Sequence, residues 1–250
     1  MIKFNGKNNV ASSLNGKSVQ RMRLNGETVW ERDYFLRHCL QRHSALSRGM
    51  NPSYWDDFVG MNHGVVLRST WDTDALSFNG NNRVTFVGDI TPAYTIEVVF
   101  ECTINLAQSY PRIVNANGSD NYHGIYIFNN GNANHAEHLA IRFYGGGKDV
   151  SFTAPDRSYV KIEEGKRTQV AYQYGNNGNV VDLFVNGIYA GSVTGISAPK
   201  STPLNYLGAN ATETRFLTGS ISEFRRHDIP LSNEIIQHNY KVDKYNYGLD

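Results

Sequence analysis

The amino-acid sequence predicts an all-β fold in which two antiparallel sheets pack face to face as a sandwich. Short apolar segments are separated by turn signals roughly every 8 to 12 residues, without helices alternating between them. Within the segments, apolar residues recur at the period of two that is typical of strands. Aromatic residues make up 12% of the chain, and its 23 Gly and many Asn favour strands joined by turns over packed helices.

Three evenly spaced tight turns are predicted at the start of the chain. An apolar residue followed by Asn-Gly returns at Phe4, Leu14 and Leu24. Asn-Gly predicts a two-residue hairpin loop, because both central positions require positive φ; three unrelated surface turns are the alternative. A ribbon below about 40 residues buries too little apolar surface to be stable alone. We therefore expect residues 1–32 to form a docking segment and residues 33–250 the main domain.

The composition of the chain argues against nucleic acid and membranes as partners. The 24 Lys and Arg balance 23 Asp and Glu, so no strong field attracts nucleic acid or an anionic membrane. No stretch approaches the roughly 20 apolar residues of a membrane-spanning helix, and MIKFNGKNN lacks the apolar run of a signal peptide. We expect a protein made in the cytoplasm. Cys39 and Cys102 favour two buried free thiols, with a single disulfide as the alternative.

The first strands of the main domain are predicted because apolar side chains recur at every second residue. In ALSFNGNNRVTFV, Leu76 and Phe78 share one face, residues 79–82 form a turn, and Val84 and Phe86 resume the pattern. In YTIEVVFEC, the side chains predicted to face the interior are Ile96, Val98 and Phe100. Those predicted to face the other way, toward solvent, are Glu97, Val99 and Glu101.

Six later segments continue the same pattern. GIYIFN and HLAIRFYGGG are strands joined by the polar loop NGNANHAE. QVAYQYGNNGNVVDLFVNGIYAGSV supplies three strands, with turns at residues 176–179 and at Asn186-Gly187. GSISEFRRHDIPL adds a strand that ends before Pro230.

Two segments require a choice between helix and strand. SNEIIQHNYKVDKY predicts a helix, because Ser232 suits the N-cap, Glu234 complements the helix dipole, and an apolar face follows. The stretch from Phe35 to Leu40 fits either state, and its β-rich surroundings favour a strand.

Five of these segments, in order, resemble one family of jelly rolls. They are YWDDFVGMNHGVV, WDTDALSFNGNNRVTF, TPAYTIEVVFE, LFVNGIYAGSV and LTGSISEFRRHDIPLSNEIIQHNYKVDKYNYGL. They resemble the concanavalin A-like, laminin G-like domains found in bacterial surface proteins and in tail and baseplate proteins of phages of Gram-positive hosts. The likeness spans about residues 35 to 250 and implies a two-sheet jelly roll with a C-terminal helix.

The leader resembles another recurring element of such phage proteins. Short segments ending in LNG-x-x-VWE often precede modules in tails and baseplates. This resemblance implies that the meander docks on the jelly roll, a neighbouring subunit or the tail assembly. The apolar side chains expected to be buried in that contact are Val19, Met22, Leu24, Val29 and Trp30.

The sequence offers one pair of acids for glycosidase chemistry, which occurs in some relatives of this fold. A retaining glycosidase needs two carboxyl groups about 5 to 5.5 Å apart. Glu97 and Glu101 lie on one side of a strand but about 13 Å apart by strand rise. Val99 stands where an intermediate acid would be needed, so we expect no catalytic residues.

Metal ligands are sparse. His135 and His138 have a ligand-like interval, which His123 could complete, yet polar loop residues are the favoured interpretation. The resemblance implies calcium near a Phe-Asp-Gly turn, where this chain has the neutral Asn79. We therefore expect no cofactor, and Asp72 and Asp120 are the remaining calcium candidates.

Saccharide binding requires an aromatic ring and polar groups on a shallow surface. NGSDNYHG and IRFYGGG provide such groups, the second of them on alternate positions of a strand that share one face. The candidate ligand-binding residues are Asn117, Asp120, Tyr122, His123, Arg142 and Tyr144. An ordinary polar loop and outward strand face are the alternative, and Trp55 and Trp71 are assigned to core or sheet-edge packing rather than to sugar platforms.

The resemblance implies a non-enzymatic phage tail or baseplate component that binds host saccharide. Several copies in a virion would give weak sites useful avidity, so we expect a homo-oligomer. Its expected partners are cell-wall or surface polysaccharide and other virion proteins, and its expected location is the virion. A purely structural module without sugar binding and a glycoside hydrolase are the alternatives.

Overall fold

A computed structural model describes residues 13–14, 17–18, 21–24, 27–31, 39–47, 51–87, 92–105, 110–117, 123–129, 131–176, 178–199, 204–210, 212 and 214–250. The chain divides into two compact units, Met1–Arg37 and His38–Asp250. None of the helices in this described part is long and apolar enough to cross a bilayer.

The few described residues of the first unit form two short antiparallel ribbons. Strand β1 (Ser13–Leu14) pairs with β2 (Lys17–Ser18), and β3 (Arg21–Leu24) pairs with β4 (Glu27–Glu31). Leu14 faces Lys17 and Leu24 faces Glu27, the registers expected of two-residue loops at the second and third Asn-Gly. The first Asn-Gly and Val19 lie outside the described residues, and the docking role of this unit stays a prediction.

The described residues of the second unit form short strands, one 3₁₀ turn and one helix. Its elements are β5 (Cys39–Ser44), a 3₁₀ turn (Ala45–Ser47), β6 (Tyr54–Trp55), β7 (Gly64–Leu67), β8 (Thr70–Trp71), β9 (Leu76–Asn79), β10 (Arg83–Val87), β11 (Tyr94–Cys102), β12 (Arg112–Asn117), β13 (Gly124–Ile127), β14 (Ile141–Gly145), β15 (Lys148–Ser151), β16 (Thr168–Tyr174), β17 (Val180–Val185), β18 (Ile188–Thr194), β19 (Leu204–Leu207), β20 (Thr218–His227) and α1 (Asn233–Tyr247).

Two antiparallel sheets form the predicted sandwich. Sheet I has the order β15-β14-β13-β12-β19-β10-β7-β6. Sheet II has the order β18-β17-β16-β11-β20-β9-β8, and β5 also pairs with β20. A single apolar core lies between them and includes the predicted inward residues Ile96, Val98 and Phe100. The prediction of an all-β sandwich is therefore confirmed.

Two predicted turns have different consequences for the topology. Asn186 and Gly187 both have positive φ, 49° and 74°, and join β17 to β18 as a tight hairpin. The turn at residues 79–82 instead carries the chain from β9 in sheet II to β10 in sheet I. Leu76 and Phe78 therefore point into the core from one sheet, while Val84 and Phe86 point into it from the other.

Helix α1 covers the outer face of sheet II. Ser232 is its N-cap residue, as predicted, and Gly248 ends it in the left-handed conformation. Ile236 packs on Ala171 and Phe184, and Tyr247 packs on Val99. The prediction that Glu97 and Val99 face solvent is wrong, because both are buried on this helix-covered face.

The described residues also settle several local predictions. The ambiguous segment contains a strand, but it starts at Cys39, and residues 35–38 lie outside the described residues. Cys39 and Cys102 are buried free thiols. Trp55 is buried in edge strand β6, and its ring meets that of Trp71, in edge strand β8, edge-on at 5.6 Å. Their assignment to packing is confirmed.

Candidate functional site

The outer face of sheet I carries the predicted pair Arg142 and Tyr144. Strand β14 alternates between buried and half-buried residues, and Ile141 and Phe143 belong to the core. Arg142 and Tyr144 therefore lie together on the opposite face, as predicted from the alternation. Their role in binding a ligand stays a prediction.

The register of sheet I places further arginine and tyrosine side chains beside this pair. Arg112 is opposite Tyr126, and Tyr126 is opposite Arg142, so the three form one row across β12, β13 and β14. The guanidinium carbon of Arg112 lies 4.1 Å from the ring centroid of Tyr126 and 4.6 Å from that of Tyr144. These are cation–π distances. We call Arg112, Tyr126, Arg142 and Tyr144 the arginine–tyrosine cluster.

A close approach between strands leaves the space next to Tyr144 without a side chain. Gly124 in β13 is directly opposite Tyr144. A Cβ atom at Gly124 would lie 2.5 Å from the carbonyl oxygen of Val114, which is closer than van der Waals contact allows. The pairing of β12 with β13 is irregular between Arg112 and Val114. Only glycine fits this position, so the tyrosine ring meets Arg112 without an intervening side chain.

Two carboxylates complete the cluster on its Arg142 side. Arg142 pairs with Glu137 through Nη1 at 3.2 Å and with Asp149 through Nη2 at 3.2 Å. Ser151 donates a hydrogen bond to Glu137 at 2.9 Å, and the Tyr126 hydroxyl donates one to Asp149. Burial, and then the bond to Asp149, raises the pKa of the Tyr126 phenol. The phenol is therefore a proton donor at neutral pH.

Arg112 is a buried member of the cluster with unsatisfied hydrogen-bond donors within the described residues. Its side chain is 3% exposed, and its Nε and Nη1 atoms have no hydrogen-bond partner within the described residues. Burial, and next the nearby charge of Arg215, lowers the pKa of Arg112 to about 10. The guanidinium stays protonated at neutral pH, so a positive charge is held on this face with unused donors.

The rim of the cluster is aromatic and basic. The Arg112 amide donates to the Arg215 carbonyl at 3.2 Å, and the Arg215 guanidinium lies 5.5 Å from the ring of Tyr110. Tyr110 also meets Tyr126 edge-on at 5.9 Å, and its backbone has a φ of 60°. A bulky residue seldom adopts that conformation, and such outliers are frequent at functional sites.

The polar character continues across the middle of sheet I. Asn115 is opposite Tyr206 in β19, and Tyr206 is opposite Thr85 in β10. The guanidinium of Arg83 lies 5.3 Å from the Tyr206 ring. This outer face therefore combines rings, guanidinium groups and amide or hydroxyl groups, the types that bind the faces and hydroxyls of a sugar.

His123, predicted to contribute to a ligand site, lies in the interior instead. It is fully buried, and its two ring nitrogens bond to the Tyr94 hydroxyl at 2.8 Å and the Ser197 carbonyl at 2.9 Å. This corrects the expectation of an exposed loop residue, because neither nitrogen is left for a ligand. Burial lowers the pKa of His123 to about 4, so its imidazole is neutral at neutral pH.

The other candidates from the same loop are only partly described. Asn117 is the last residue of β12, and its side chain lies outside the described part of the chain. Asp120 and Tyr122 lie wholly outside it. Their proposed contacts with a ligand stay predictions.

The two carboxylates considered for catalysis, on Glu97 and Glu101, lie in different environments. Glu97 is buried under α1, where it accepts a hydrogen bond from Asn239 at 2.9 Å and lies 3.1 Å from Nε2 of His227. Glu101, four residues along β11, is half-buried. The helix encloses Glu97, so this pair does not border an open surface.

No cluster of three or more His, Cys, Asp or Glu suited to a metal occurs among the described residues. Asp72 is exposed in the turn between β8 and β9, where one carboxylate oxygen accepts the Thr73 amide at 2.7 Å. The ring centroid of His135 lies 5.0 Å from that of Phe128 in a tilted arrangement, and the His138 amide donates to the His135 carbonyl. Whether calcium binds at Asp72 or Asp120 stays a prediction.

Sequence reasoning missed Arg112, Tyr126 and Arg215, and it also missed strands β12 and β19. The sequence did contain signals for two of these residues, Tyr126 and Arg112. In GIYIFN, Tyr126 stands between two isoleucines that alternation sends into the core. In PRIVNAN, an arginine precedes two β-branched residues. Arg215 lies outside any strand, and no local pattern brings it to Arg112.

Two packed antiparallel sheets, one covered by a helix and the other with arginine and tyrosine side chains on its outer face, define a β-sandwich of the lectin/glucanase type. A model of the concanavalin A-like lectin/glucanases superfamily (Laminin_G_3) matches residues 72–237, more than half of the chain. The chain belongs to this superfamily. No curated protein matches it.

Solved structures with this fold include an enzyme and toxin domains. The chain is similar to Trypanosoma rangeli sialidase, with a TM-score of 0.61 and 12% identity over 83% of this chain and 33% of that one. It is similar to the botulinum neurotoxin serotype D binding domain, with a TM-score of 0.57 and 14% identity over 83% of this chain and 52% of that one. The likeness concerns the fold alone, and the chain spans a third to a half of these proteins.

Proposed function

We propose that this protein binds saccharides on the outer face of sheet I, at the arginine–tyrosine cluster. The observation that carries the proposal is the row of Arg112, Tyr126 and Arg142, flanked by Tyr144, on one sheet face. Tyrosine rings cover the apolar faces of sugars, and arginine donors bind their hydroxyl and acidic oxygens. Membership of the lectin/glucanase superfamily supports this chemistry.

The proposed role is adhesion rather than catalysis. The enclosure of Glu97 by α1 supports a binding role, because a glycosidase needs both carboxyl groups beside its substrate. The motifs shared with tail and baseplate proteins of phages support a place in a virion, where the chain would bind host cell-surface polysaccharide. Several copies, as a homo-oligomer attached through residues 1–32 to other virion proteins, would raise a weak affinity through effective concentration.

A glycan array tests saccharide binding directly. The full chain is applied to neutral, carboxylate-bearing and phosphate-bearing glycans, together with Tyr144→Ala and the control Tyr245→Ala. Tyr245 is a 64% exposed tyrosine on α1, which packs on the other sheet. We expect a signal that Tyr144→Ala loses and Tyr245→Ala keeps. No signal from the folded, assembled protein would favour a purely structural role in the virion.

A deletion tests the attachment role of the leader. We expect a variant lacking residues 1–32 to lose its oligomeric state or its association with other virion proteins, while its circular dichroism stays β-rich. Light scattering on both forms measures the change. A shortened chain with the same solubility and the same mass as the full chain would contradict a docking role for Met22, Leu24, Val29 and Trp30.

A further inference from the structure

The arginine–tyrosine cluster and its rim contain more positive than negative charge. The two carboxylates, on Glu137 and Asp149, both pair with Arg142. Arg112 and Arg215 have no carboxylate within ion-pair distance in the part of the chain that the structure describes. The three guanidinium groups and the two carboxylates therefore leave one net positive charge on this face, although Asp149 also attracts the charge of Arg112.

The unused donors of Arg112 are costly to keep buried. Within the part of the chain that the structure describes, its Nε and Nη1 atoms are buried and have no hydrogen-bond partner, although native proteins pair nearly all buried polar groups. Stacking on Tyr126 and Tyr144 holds the guanidinium plane in place but satisfies neither N–H donor. A ligand that displaces the side chains around these two atoms would supply the missing acceptors.

The guanidinium donors of this site match the acceptor oxygens of a carboxylate or a phosphate. A planar guanidinium donates two parallel hydrogen bonds to a carboxylate or a phosphate, and such charge-assisted bonds are stronger than those to neutral hydroxyls. Arg215 adds a second charge beside Arg112, and half-buried Tyr110 and Tyr144 offer ring surface for a sugar.

We propose that the cluster selects anionic saccharides, whose carboxylate or phosphate oxygens accept hydrogen bonds from Arg112 and Arg215. The inference rests on the proposed function and adds the class of saccharide. It also predicts affinity that decreases as ionic strength rises, because salt screens the attraction between the ligand and the arginines.

Matched pairs of polysaccharides test the inference on the full chain. One pair is polygalacturonate and its methyl ester, which differ only in the carboxylate charge. The other is a phosphomannan and the same mannan after removal of its phosphates. We expect calorimetric titration to show binding at least about tenfold tighter to one acidic member than to its uncharged partner. Which pair responds identifies the acidic group as carboxylate or phosphate.

Three variants assign the effect to this site. Arg112→Gln and Arg215→Gln should each weaken acidic binding about tenfold, while Lys241→Gln should not. Lys241 is exposed on α1, so its substitution makes the same charge change on the helix that covers sheet II. If Arg112→Gln does not fold, Arg215→Gln still provides the test, because Arg215 is only half-buried and its guanidinium lies over the Tyr110 ring at the rim of the cluster.

The outcomes separate this inference from the proposed function. Equal binding of charged and uncharged partners, or a glycan-array signal from neutral glycans alone, would overturn anion selection and leave saccharide binding intact. Acidic binding that survives both arginine substitutions would overturn the assignment to this cluster. A silent array would overturn the proposed function itself, and the inference with it.

Discussion

Arg112 and Tyr126 face each other on neighbouring strands, with the guanidinium carbon 4.1 Å from the ring centroid. The Tyr126 hydroxyl in turn donates a hydrogen bond to Asp149, which pairs with Arg142. The tyrosine therefore links an arginine without a carboxylate partner to one with two. This arrangement separates the roles of ring and hydroxyl, because each contacts a different charged group.

Substitution of Tyr126 tests which of these roles matters for binding. Tyr126→Phe keeps the ring under Arg112 and removes only the bond to Asp149, so we expect most of the saccharide affinity to remain. Tyr126→Leu removes the cation–π contact and should weaken binding by about 0.5–2 kcal/mol, since the guanidinium loses its orientation. Calorimetric titration of both variants against the best glycan of the array measures the difference. Equal affinities for Tyr126→Leu and the unaltered protein would contradict a role for the ring.

The sequence predicted two strands of this site, β13 and β14, and missed two others, β12 and β19. Strand β14 was predictable because Ile141 and Phe143 alternate with Arg142 and Tyr144, and alternation is a local property. The contact of Arg112 with Tyr126 depends on pairing between β12 and β13 and on the irregular register next to Arg112. No local pattern encodes that register, so the site's central arginine was missed.

The same limit explains why the environment of Glu97 was predicted wrongly from the sequence. Its direction along β11 was predicted correctly, since Ile96 and Val98 face the core. Its burial comes from Asn239 and the rest of α1, far away in sequence. The helix itself was predicted, but the surface on which it packs was not, because its capping and apolar pattern specify a helix and not its partner.

An ion pair under the helix is predicted to be a main source of stability. Arg225 donates through both terminal nitrogens to Asp243, with Nη1 at 2.9 Å from Oδ2, and both side chains are buried. Asp243→Asn removes a carboxylate charge and replaces one acceptor oxygen with an N–H donor. Glu223 still lies 3.2 Å from Nε of Arg225, so the free energy of unfolding should decrease by about 2–3 kcal/mol. Denaturant unfolding measures the loss, with the neighbouring exposed Lys244→Gln as the control. A loss below about 1 kcal/mol, typical of an exposed pair, would contradict this role.

Two buried histidines predict loss of stability in acid. Burial lowers the pKa of both His43 and His123 to about 4, from an ordinary value of 6.5. Between those values the unfolded chain binds protons that the folded chain does not, so the free energy of unfolding decreases as the pH falls. Each histidine contributes up to about 3 kcal/mol to this decrease. Burial of Asp243 raises its pKa to about 6, which acts in the opposite direction, so every protein compared must retain it.

A pair of variants isolates the contribution of His123. His123→Gln should remove its share of the slope between pH 6.5 and pH 4. Tyr94→Phe should lower stability at every pH and keep the slope, because burial rather than the Tyr94 bond is the main cause of the low pKa. Denaturant unfolding at several pH values distinguishes the two. A slope unchanged in His123→Gln would show that this residue is not the source.

The hairpin turn at Asn186-Gly187 should tolerate no side chain at its second position. Gly187 has a φ of 74°, and a Cβ atom there would lie 2.8 Å from Cβ of Tyr240 on α1. Gly165 has a similar φ of 71°, but a Cβ there would meet no atom within 4 Å. Gly165→Ala should therefore cost only the backbone strain, about 1 kcal/mol, whereas Gly187→Ala should cost more because the helix must also move away from the hairpin. Denaturant unfolding measures both losses, and equal losses would show that α1 does not pack against this turn.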